Sequence, residues 1–175
     1  MARPGSGMAE STAVELTASD PADVVALHDL YGEYEWWADR TRSEVARALS
    51  NSVGVGLQEG DELVAGARLL TDSVHYARLY DVVVAADRRG DGLGRQLVWS
   101  AVEHPAVGHL NVVLLCREGL IPFYERCGFE RYDLTTDIAG AEEEFVQMAR
   151  WRTHPARDET PPPAAVETPD WSGGT

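Results

Sequence analysis

Apolar residues recur at helical spacing in four stretches of the chain, and each stretch carries a signal for where a helix starts or ends. The first stretch follows an Asp20 cap and has Pro21 in its first turn. The second opens with a capping box, in which Thr41 and Glu44 satisfy each other's backbone N–H groups. The four predicted helices cover residues 20–34, 41–49, 93–103 and 121–127.

Six further runs of apolar or alternating residues predict strands. Two of them flank the turn Glu59-Gly60-Asp61 and form a hairpin, and a third ends in three consecutive valines. The element order α-α-β-β-β-α-β-α-β-β predicts an α/β fold in which a mixed sheet carries helices on its faces. The six strands lie within residues 52–58, 62–72, 75–85, 109–116, 129–134 and 144–151.

The two ends of the chain lack this patterning. Residues 1–10 are small and polar, and residues 153–175 are rich in proline, threonine and acid, so neither end can bury enough apolar surface to order itself. We expect a flexible lead at 1–10, one domain over 11–152 and a disordered tail at 153–175. A chain of 175 residues with 44% hydrophobic content is sufficient for one such core.

Composition narrows the function classes. The 29 acidic residues outnumber the 15 basic ones, all of them arginine, and the net charge of −14 argues against a nucleic-acid partner. An acid excess without lysine predicts a halophilic source. No apolar run is long enough for a membrane span or signal peptide, so we expect a cytoplasmic protein with no membrane partner. Cys116 and Cys127 are expected to be small buried side chains, and the histidine spacing predicts no metal site.

One turn carries candidate chemistry. Glycines stand at 90, 92 and 94, just where a helix begins, although each glycine costs a helix about 1 kcal/mol relative to alanine. Bare backbone there lets N–H groups and the helix dipole converge on an anion, and Arg88, Arg89 and Arg95 add positive charge. A diphosphate suits such a site. The sequence lacks the Gly-Lys-Ser/Thr of a Walker A loop and the glycine spacing of a dinucleotide fingerprint.

The pattern Arg89-x-x-Gly92-x-Gly94, with Phe-Tyr-Glu-Arg-Cys-Gly-Phe following at 123–129, resembles the GNAT superfamily of acyl-CoA-dependent N-acetyltransferases over roughly residues 24–134. Residues 34–72 are similar to a general bacterial and archaeal acetyltransferase subgroup. The resemblance implies the GNAT fold, an α+β mixed sheet of about six to seven strands with about four helices. It also implies acetyl-CoA, and hence coenzyme A, as the co-substrate.

The same resemblance implies roles for particular residues. Backbone amides of the glycine loop would hold the coenzyme A diphosphate, and the preceding strand edge would pair with the pantetheine arm. The N–H of Val84 would polarise the thioester carbonyl, and Tyr124 would protonate the departing thiolate. Arg117 stands where many relatives carry a cofactor-contacting asparagine, so the resemblance does not imply its role, and its contact with a cofactor phosphate is predicted from its charge. The predicted cofactor-binding residues are Val82, Val83, Val84, Arg89, Gly90, Asp91, Gly92, Leu93, Gly94, Arg95, Arg117 and Tyr124.

The acceptor amine needs a base, because an alkyl ammonium has a pKa of about 10.4. Asp81 is the predicted base, since some family members carry an acidic residue at this place. The alternative is a carboxylate that only bonds neighbouring backbone or Arg78. Tyr80 and Glu35 are weaker candidates for the base, Tyr80 because strand alternation places it on the other face from Asp81.

The sequence therefore predicts an N-acetyltransferase that moves the acetyl group of acetyl-CoA to a primary amine by direct attack in a ternary complex. Neither cysteine is expected to be a nucleophile. The acceptor would be a small-molecule amine or a peptide N-terminus, and the family resemblance leaves a homodimer open. The alternative function is a coenzyme A-binding sensor or scaffolding module without catalysis.

Overall fold

A computed structural model describes residues 10–136 and 145–152 of the chain, without the side chains of 133–136. The predicted lead, apart from Glu10, and the predicted tail at 153–175 lie outside these residues. No helix within the described ranges has the length and hydropathy that a membrane crossing requires. The helices and strands are β1 (Thr12–Leu16), α1 (Pro21–Gly32), α2 (Arg42–Ser50), β2 (Val53–Glu59), β3 (Glu62–Thr71), β4 (Ala77–Val84), α3 (Leu93–Val102), β5 (Val112–Arg117), α4 (Ile121–Arg126), β6 (Glu130–Thr136) and β7 (Phe145–Arg150).

The strands of the described residues form one mixed sheet in the order β1-β2-β3-β4-β5-β7-β6. Neighbouring strands are antiparallel except β4 and β5, which run parallel. Helices α1 and α2 pack over one apolar cluster, which includes Leu27 and Tyr31. Helices α3 and α4 pack over a second cluster, which includes Leu97 and Met148. The predicted α/β fold with a mixed sheet is confirmed.

The predicted start signals act as the sequence indicates. The Asp20 carboxylate accepts a hydrogen bond from the N–H of Ala22 at 2.9 Å, which caps α1. The capping box at the start of α2 is complete, with the Thr41 N–H donating to the Glu44 carboxylate at 2.8 Å. Gly60 has a φ of +61° in the hairpin turn between β2 and β3, which confirms that prediction.

Strand β1 was not predicted. It pairs with β2 along its whole length, from Thr12 opposite Gln58 to Leu16 opposite Gly54. Leu16 is buried and the partly buried Val14 packs against the same cluster, but the strand has only five residues, so this alternation is too short to indicate a strand. Backbone pairing with an existing strand, together with burial of Leu16, holds this edge of the sheet.

A bulge in β4 changes the direction of one predicted site residue. Tyr80 lies opposite Arg68 of β3 and Val83 lies opposite Gly66, so Asp81 and Val82 share one position of the partner strand. The φ of Asp81 is +53°, a left-handed conformation that aspartate tolerates better than most residues. The Asp81 carboxylate reaches Arg68, whose side chain shares a face with Tyr80. The expectation that Tyr80 and Asp81 occupy opposite faces is therefore wrong.

Candidate active site

Strands β4 and β5 separate after a short contact. Their backbones pair only at Ala77 with Val112 and at Arg78 with Val113, although both strands continue for several residues within the described chain. A gap therefore opens in the middle of the sheet. Such a gap exposes strand edges that an extended ligand can use as an added strand.

The peptide group of Val84 lies on the edge of this gap. Val83 is in register with Gly66 of β3, and the Ala85 N–H donates to the Val64 carbonyl at 2.9 Å. Because successive peptide groups of a strand point to opposite edges, the N–H and C=O of Val84 face away from β3 and toward the gap. Of the predicted valines, Val84 presents its peptide group there and Val83 faces β3.

Helix α3 begins beside the gap on bare backbone. Gly92 is its N-cap with a φ of +83°, and Gly90 has a φ of +91°, so both positions need the conformational freedom of glycine. No side chain among the described residues caps α3, so the first N–H groups of the helix are open to an external acceptor. Gly94 serves packing, because a Cβ there would lie 3.3 Å from the Phe123 ring.

The arginines around the loop have different partners. Arg88 pairs with Glu59 of β2 and with Asp91, and these bonds raise the pKa of the guanidinium. Its charge therefore fixes the loop against the sheet. Arg89 lies over the Tyr34 ring, 4.6 Å from the centroid, and its Nε donates to the Val84 carbonyl at 3.3 Å. Arg95 is exposed at the start of α3.

Tyr34, which follows α1, occupies the gap edge of β4. Its hydroxyl donates to the Val84 carbonyl at 2.9 Å and accepts the Val84 N–H at 2.9 Å. This one hydroxyl thus satisfies the N–H and the C=O of Val84, which have no partner strand once β4 and β5 separate. The Tyr34 ring packs on Trp37, with ring centroids 5.4 Å apart.

Tyr124 lies in α4 within the cluster beneath α3. Its side chain packs edge-on against Phe123 and Phe129, with ring centroids 4.9 and 5.8 Å away. Burial raises the pKa of the Tyr124 hydroxyl, so the group stays protonated at any working pH. Such a hydroxyl can donate a hydrogen bond to a nearby anion.

Both cysteines are buried and carry free thiols, as expected. Burial raises the pKa of Cys116 to about 11 and also raises the pKa of Cys127. Because the thiolate is the nucleophilic form of cysteine, these shifts disfavour nucleophilic attack by either side chain.

Asp81 is the centre of a buried charge cluster. Its carboxylate accepts bonds from Arg40 at 2.9 and 3.3 Å and from Arg68 at 3.0 and 2.6 Å. The Tyr31 hydroxyl donates to the same carboxylate at 3.3 Å. The Asp81 side chain is only 7% exposed. Two cations and one hydroxyl therefore share a single carboxylate between α1, β3 and β4.

These contacts set the ionisation of the cluster. Burial alone would raise the pKa of Asp81, but the bonds and charges of Arg40 and Arg68 outweigh burial and hold that pKa below its usual range. Burial, followed by the charge of Asp81, raises the pKa of Tyr31 to about 12. Asp81 therefore stays ionised and is a weak proton acceptor.

A cavity of about 400 Å³ lies against this cluster. Both signs of charge line it, so it can accept a ligand with ammonium and anionic groups together. Its lining residues are Tyr31, Asp39, Arg40, Glu44, Val45, Ala48 and Arg68.

Arg117 is the last residue of β5, the strand on the other side of the gap from β4. Its guanidinium stacks on Trp36, 3.4 Å from the ring centroid. Trp36 and Tyr34 belong to the same segment after α1, so this segment contacts both sides of the gap. Cofactor contact by Arg117 stays a prediction.

Sequence reasoning missed three residues of this region: Tyr34 as the partner of Val84, and Arg40 and Arg68 as the partners of Asp81. Of these three residues, only Arg68 could have been recognised from the sequence, since a charged residue inside the apolar strand β3 requires a buried partner.

The comparisons with known proteins agree with this geometry. A family model described as the acetyltransferase (GNAT) family matches residues 15–129. The chain is 31% identical over 124 residues to the histone acetyltransferase TAP1 of Glycine max, an alignment that covers 63% of this chain and 52% of that protein. The chain thus spans about half the length of the curated relatives it matches first.

Solved structures share the fold at low identity. Escherichia coli ElaA superposes with a TM-score of 0.63 at 22% identity, over 81% of this chain and 100% of that one. An aminoglycoside 6′-N-acetyltransferase complexed with coenzyme A superposes with a TM-score of 0.68 at 19% identity, over 79% of this chain and 95% of that one. Members of the family transfer acetyl groups from acetyl-CoA. The resemblance found in the glycine loop is confirmed, and this chain belongs to the acetyltransferase (GNAT) family.

Proposed function

We propose that this chain is an N-acetyltransferase that moves the acetyl group of acetyl-CoA directly to a primary amine. The observation that carries the proposal is the gap between β4 and β5, with the Val84 peptide on its edge and the glycine-capped start of α3 beside it. A strand edge and an anion-binding helix start in one place suit a ligand with an extended amide arm and a diphosphate.

On the cofactor side, the backbone from Arg89 to Arg95 would hold the diphosphate and the edge at Val82 to Val84 would pair with the pantetheine arm. The Val84 N–H would then donate to the thioester carbonyl as its oxygen gains negative charge. Direct attack needs no enzyme nucleophile, since side-by-side binding supplies much of the rate.

Tyr124 would stabilise the departing thiolate. Its raised pKa keeps the hydroxyl protonated, which supports hydrogen bonding to the sulfur as charge develops there. A cysteine-like thiol has a pKa of about 8.5, below that of Tyr124, so donation of a hydrogen bond is favoured over complete transfer of the proton.

For the amine proton, the predicted base Asp81 remains a candidate. Its two arginine partners and its lowered pKa favour a positioning role, in which Asp81 holds Arg40 and Arg68 at the cavity wall. We therefore propose that Asp81 acts mainly through these arginines, with water as the direct proton acceptor.

The acceptor is proposed to be a small-molecule amine or a peptide N-terminus. The names of the relatives point to different acceptors, a histone in one case and an aminoglycoside in another. The cavity with both signs of charge supports an acceptor with an anionic group near its amine. A cytoplasmic location and a homodimer remain proposals from the sequence.

The test is acetyl-CoA-dependent release of free thiol with a panel of polyamines, amino sugars, amino acids and short peptides. We expect release above the solvent rate with at least one amine, and calorimetric binding of coenzyme A without any amine. If acetyl-CoA binds but no amine causes release of free thiol, the chain is a coenzyme A-binding module without catalysis. Absence of coenzyme A binding would overturn the whole proposal.

A further inference from the structure

The Tyr34 hydroxyl lies where the proposed reaction needs another oxygen. Effective donors to a developing oxyanion lie about 2.7–3.1 Å from that oxygen, and the Tyr34 oxygen is 2.9 Å from the Val84 nitrogen. One N–H cannot give a full hydrogen bond to two oxygens in the same place. Tyr34 and a thioester carbonyl therefore compete for the same donor.

Several further contacts hold Tyr34 in this position. The Tyr34 hydroxyl bonds both the N–H and the C=O of Val84, and its ring is held between Trp37 at 5.4 Å and the Arg89 guanidinium at 4.6 Å. The preceding residue, Glu33, accepts the Ala86 N–H at 2.6 Å. Two consecutive side chains from the end of α1 thus occupy backbone donors at the end of β4.

We propose that Tyr34 is a gate residue. In the enzyme without ligand, its hydroxyl occupies the position of the thioester carbonyl oxygen. The acyl group displaces the hydroxyl when acetyl-CoA binds. The inference rests on the proposed function, because it assumes that the Val84 N–H receives the thioester carbonyl. Displacement costs the two Tyr34 hydrogen bonds. Coenzyme A lacks the acyl carbonyl, so its pantetheine arm can pair with the Val82 end of this strand edge and leave the Tyr34 hydroxyl on Val84.

This difference between the two ligands supplies the test. In Tyr34→Phe the ring keeps its packing and only the competing hydroxyl is removed. We expect acetyl-CoA to bind about threefold to tenfold more tightly than to wild type, which corresponds to one net hydrogen bond, while the Kd for coenzyme A stays unchanged. The measurement is calorimetric titration of both proteins with both ligands.

Tyr76→Phe is the matched control, because Tyr76 is the most exposed of the large apolar side chains described, at 77%, and lies just before β4, at the opposite end of that strand from Val84. Its Kd values for both ligands should equal those of wild type. Hydrogen exchange gives a second readout without ligand, in which the Val84 amide should exchange faster in Tyr34→Phe than in wild type.

An unchanged or lower ratio of coenzyme A to acetyl-CoA Kd in Tyr34→Phe overturns the gate and leaves the proposed function standing, provided that both proteins bind coenzyme A. Unchanged exchange at Val84 overturns it as well. Failure of wild type to bind either ligand overturns the proposed function and the gate with it.

Discussion

The candidate site has two proposed sides, one for the cofactor and one for the acceptor, and they are built in different ways. The cofactor side uses backbone: glycines at positive φ, the uncapped start of α3 and the peptide edge of Val84. The acceptor side uses side chains that converge from α1, β3, β4 and the residue before the capping box, with Asp81 at their centre. One side depends on local chain conformation and the other on contacts between distant residues.

This difference predicts how each side responds to substitution. A backbone site fails when a residue cannot adopt the required φ or leave the required space, so its substitutions affect ligand binding more than folding. A buried ion cluster fails when one partner is removed, because the remaining charges stay buried without compensation. Its substitutions should affect folding first.

The largest effect is expected at the acceptor side, for Asp81→Asn. Asparagine keeps the left-handed conformation available but leaves Arg40 and Arg68 without their shared anion. Loss of one partner from a buried pair costs about 3–5 kcal/mol, so the free energy of unfolding should fall by about that amount in urea denaturation. Asp29→Asn, at a side chain 66% exposed, is the control and should change stability by less than about 0.5 kcal/mol.

The pH dependence sharpens the same test. The folded pKa of Asp81 lies below its unfolded value of about 3.9, so its contribution is complete above that pH and is lost as pH falls through the folded pKa. Wild type and Asp81→Asn should therefore differ fully at neutral pH, and the difference should shrink as pH falls below about 3.9 toward the folded pKa. A constant difference down to strong acid would show that the carboxylate charge is not the source.

The next effect concerns the reaction rather than the fold, for Tyr124→Phe. The ring packing against Phe123 and Phe129 is kept and only the hydroxyl, the proposed donor to the thiolate, is lost. We expect kcat to fall by about 100-fold, the lower range for loss of one hydrogen-bond donor to a developing anion, with the Kd for coenzyme A unchanged. If kcat stays within a few-fold of wild type, Tyr124 is a core residue only.

A smaller effect is expected on the cofactor side, for Gly92→Ala. Alanine at a φ of +83° costs about 1–2 kcal/mol, and relief of that strain would move the loop and weaken coenzyme A binding by roughly tenfold. Gly60→Ala is the matched control, because Gly60 also has a positive φ with open space around it but lies in the hairpin turn. It should lower stability similarly and leave the Kd unchanged. Equal Kd values for both variants would remove the loop from the cofactor site.

The same difference explains what the sequence could predict. Helix caps, the Gly60 turn and the glycine loop were predicted because each depends on a few neighbouring residues. The Asp81 cluster was not, because Arg40 and Arg68 lie 41 and 13 residues away and meet Asp81 only through a bulge. The bulge itself could not be predicted from neighbouring residues, since an aspartate before three valines is typical of an ordinary strand. Strand β1 was missed because, of its five residues, only Val14 and Leu16 pack on the core, and so short an alternation does not indicate a strand.

The smallest effect separates buried charge from surface charge. A net charge of −14 repels itself, and a change from about 0.1 M to about 1 M KCl shortens the Debye length from about 10 Å to about 3 Å. We expect the Tm of wild type to rise by a few degrees, in line with the halophilic composition. The Asp81 cluster is buried and poorly screened, so the Tm difference between wild type and Asp81→Asn should stay constant across the same salt range. If the Tm difference shrinks as the salt concentration rises, these ion pairs are in contact with solvent. The proposed distinction between the two sides of the site would then be wrong.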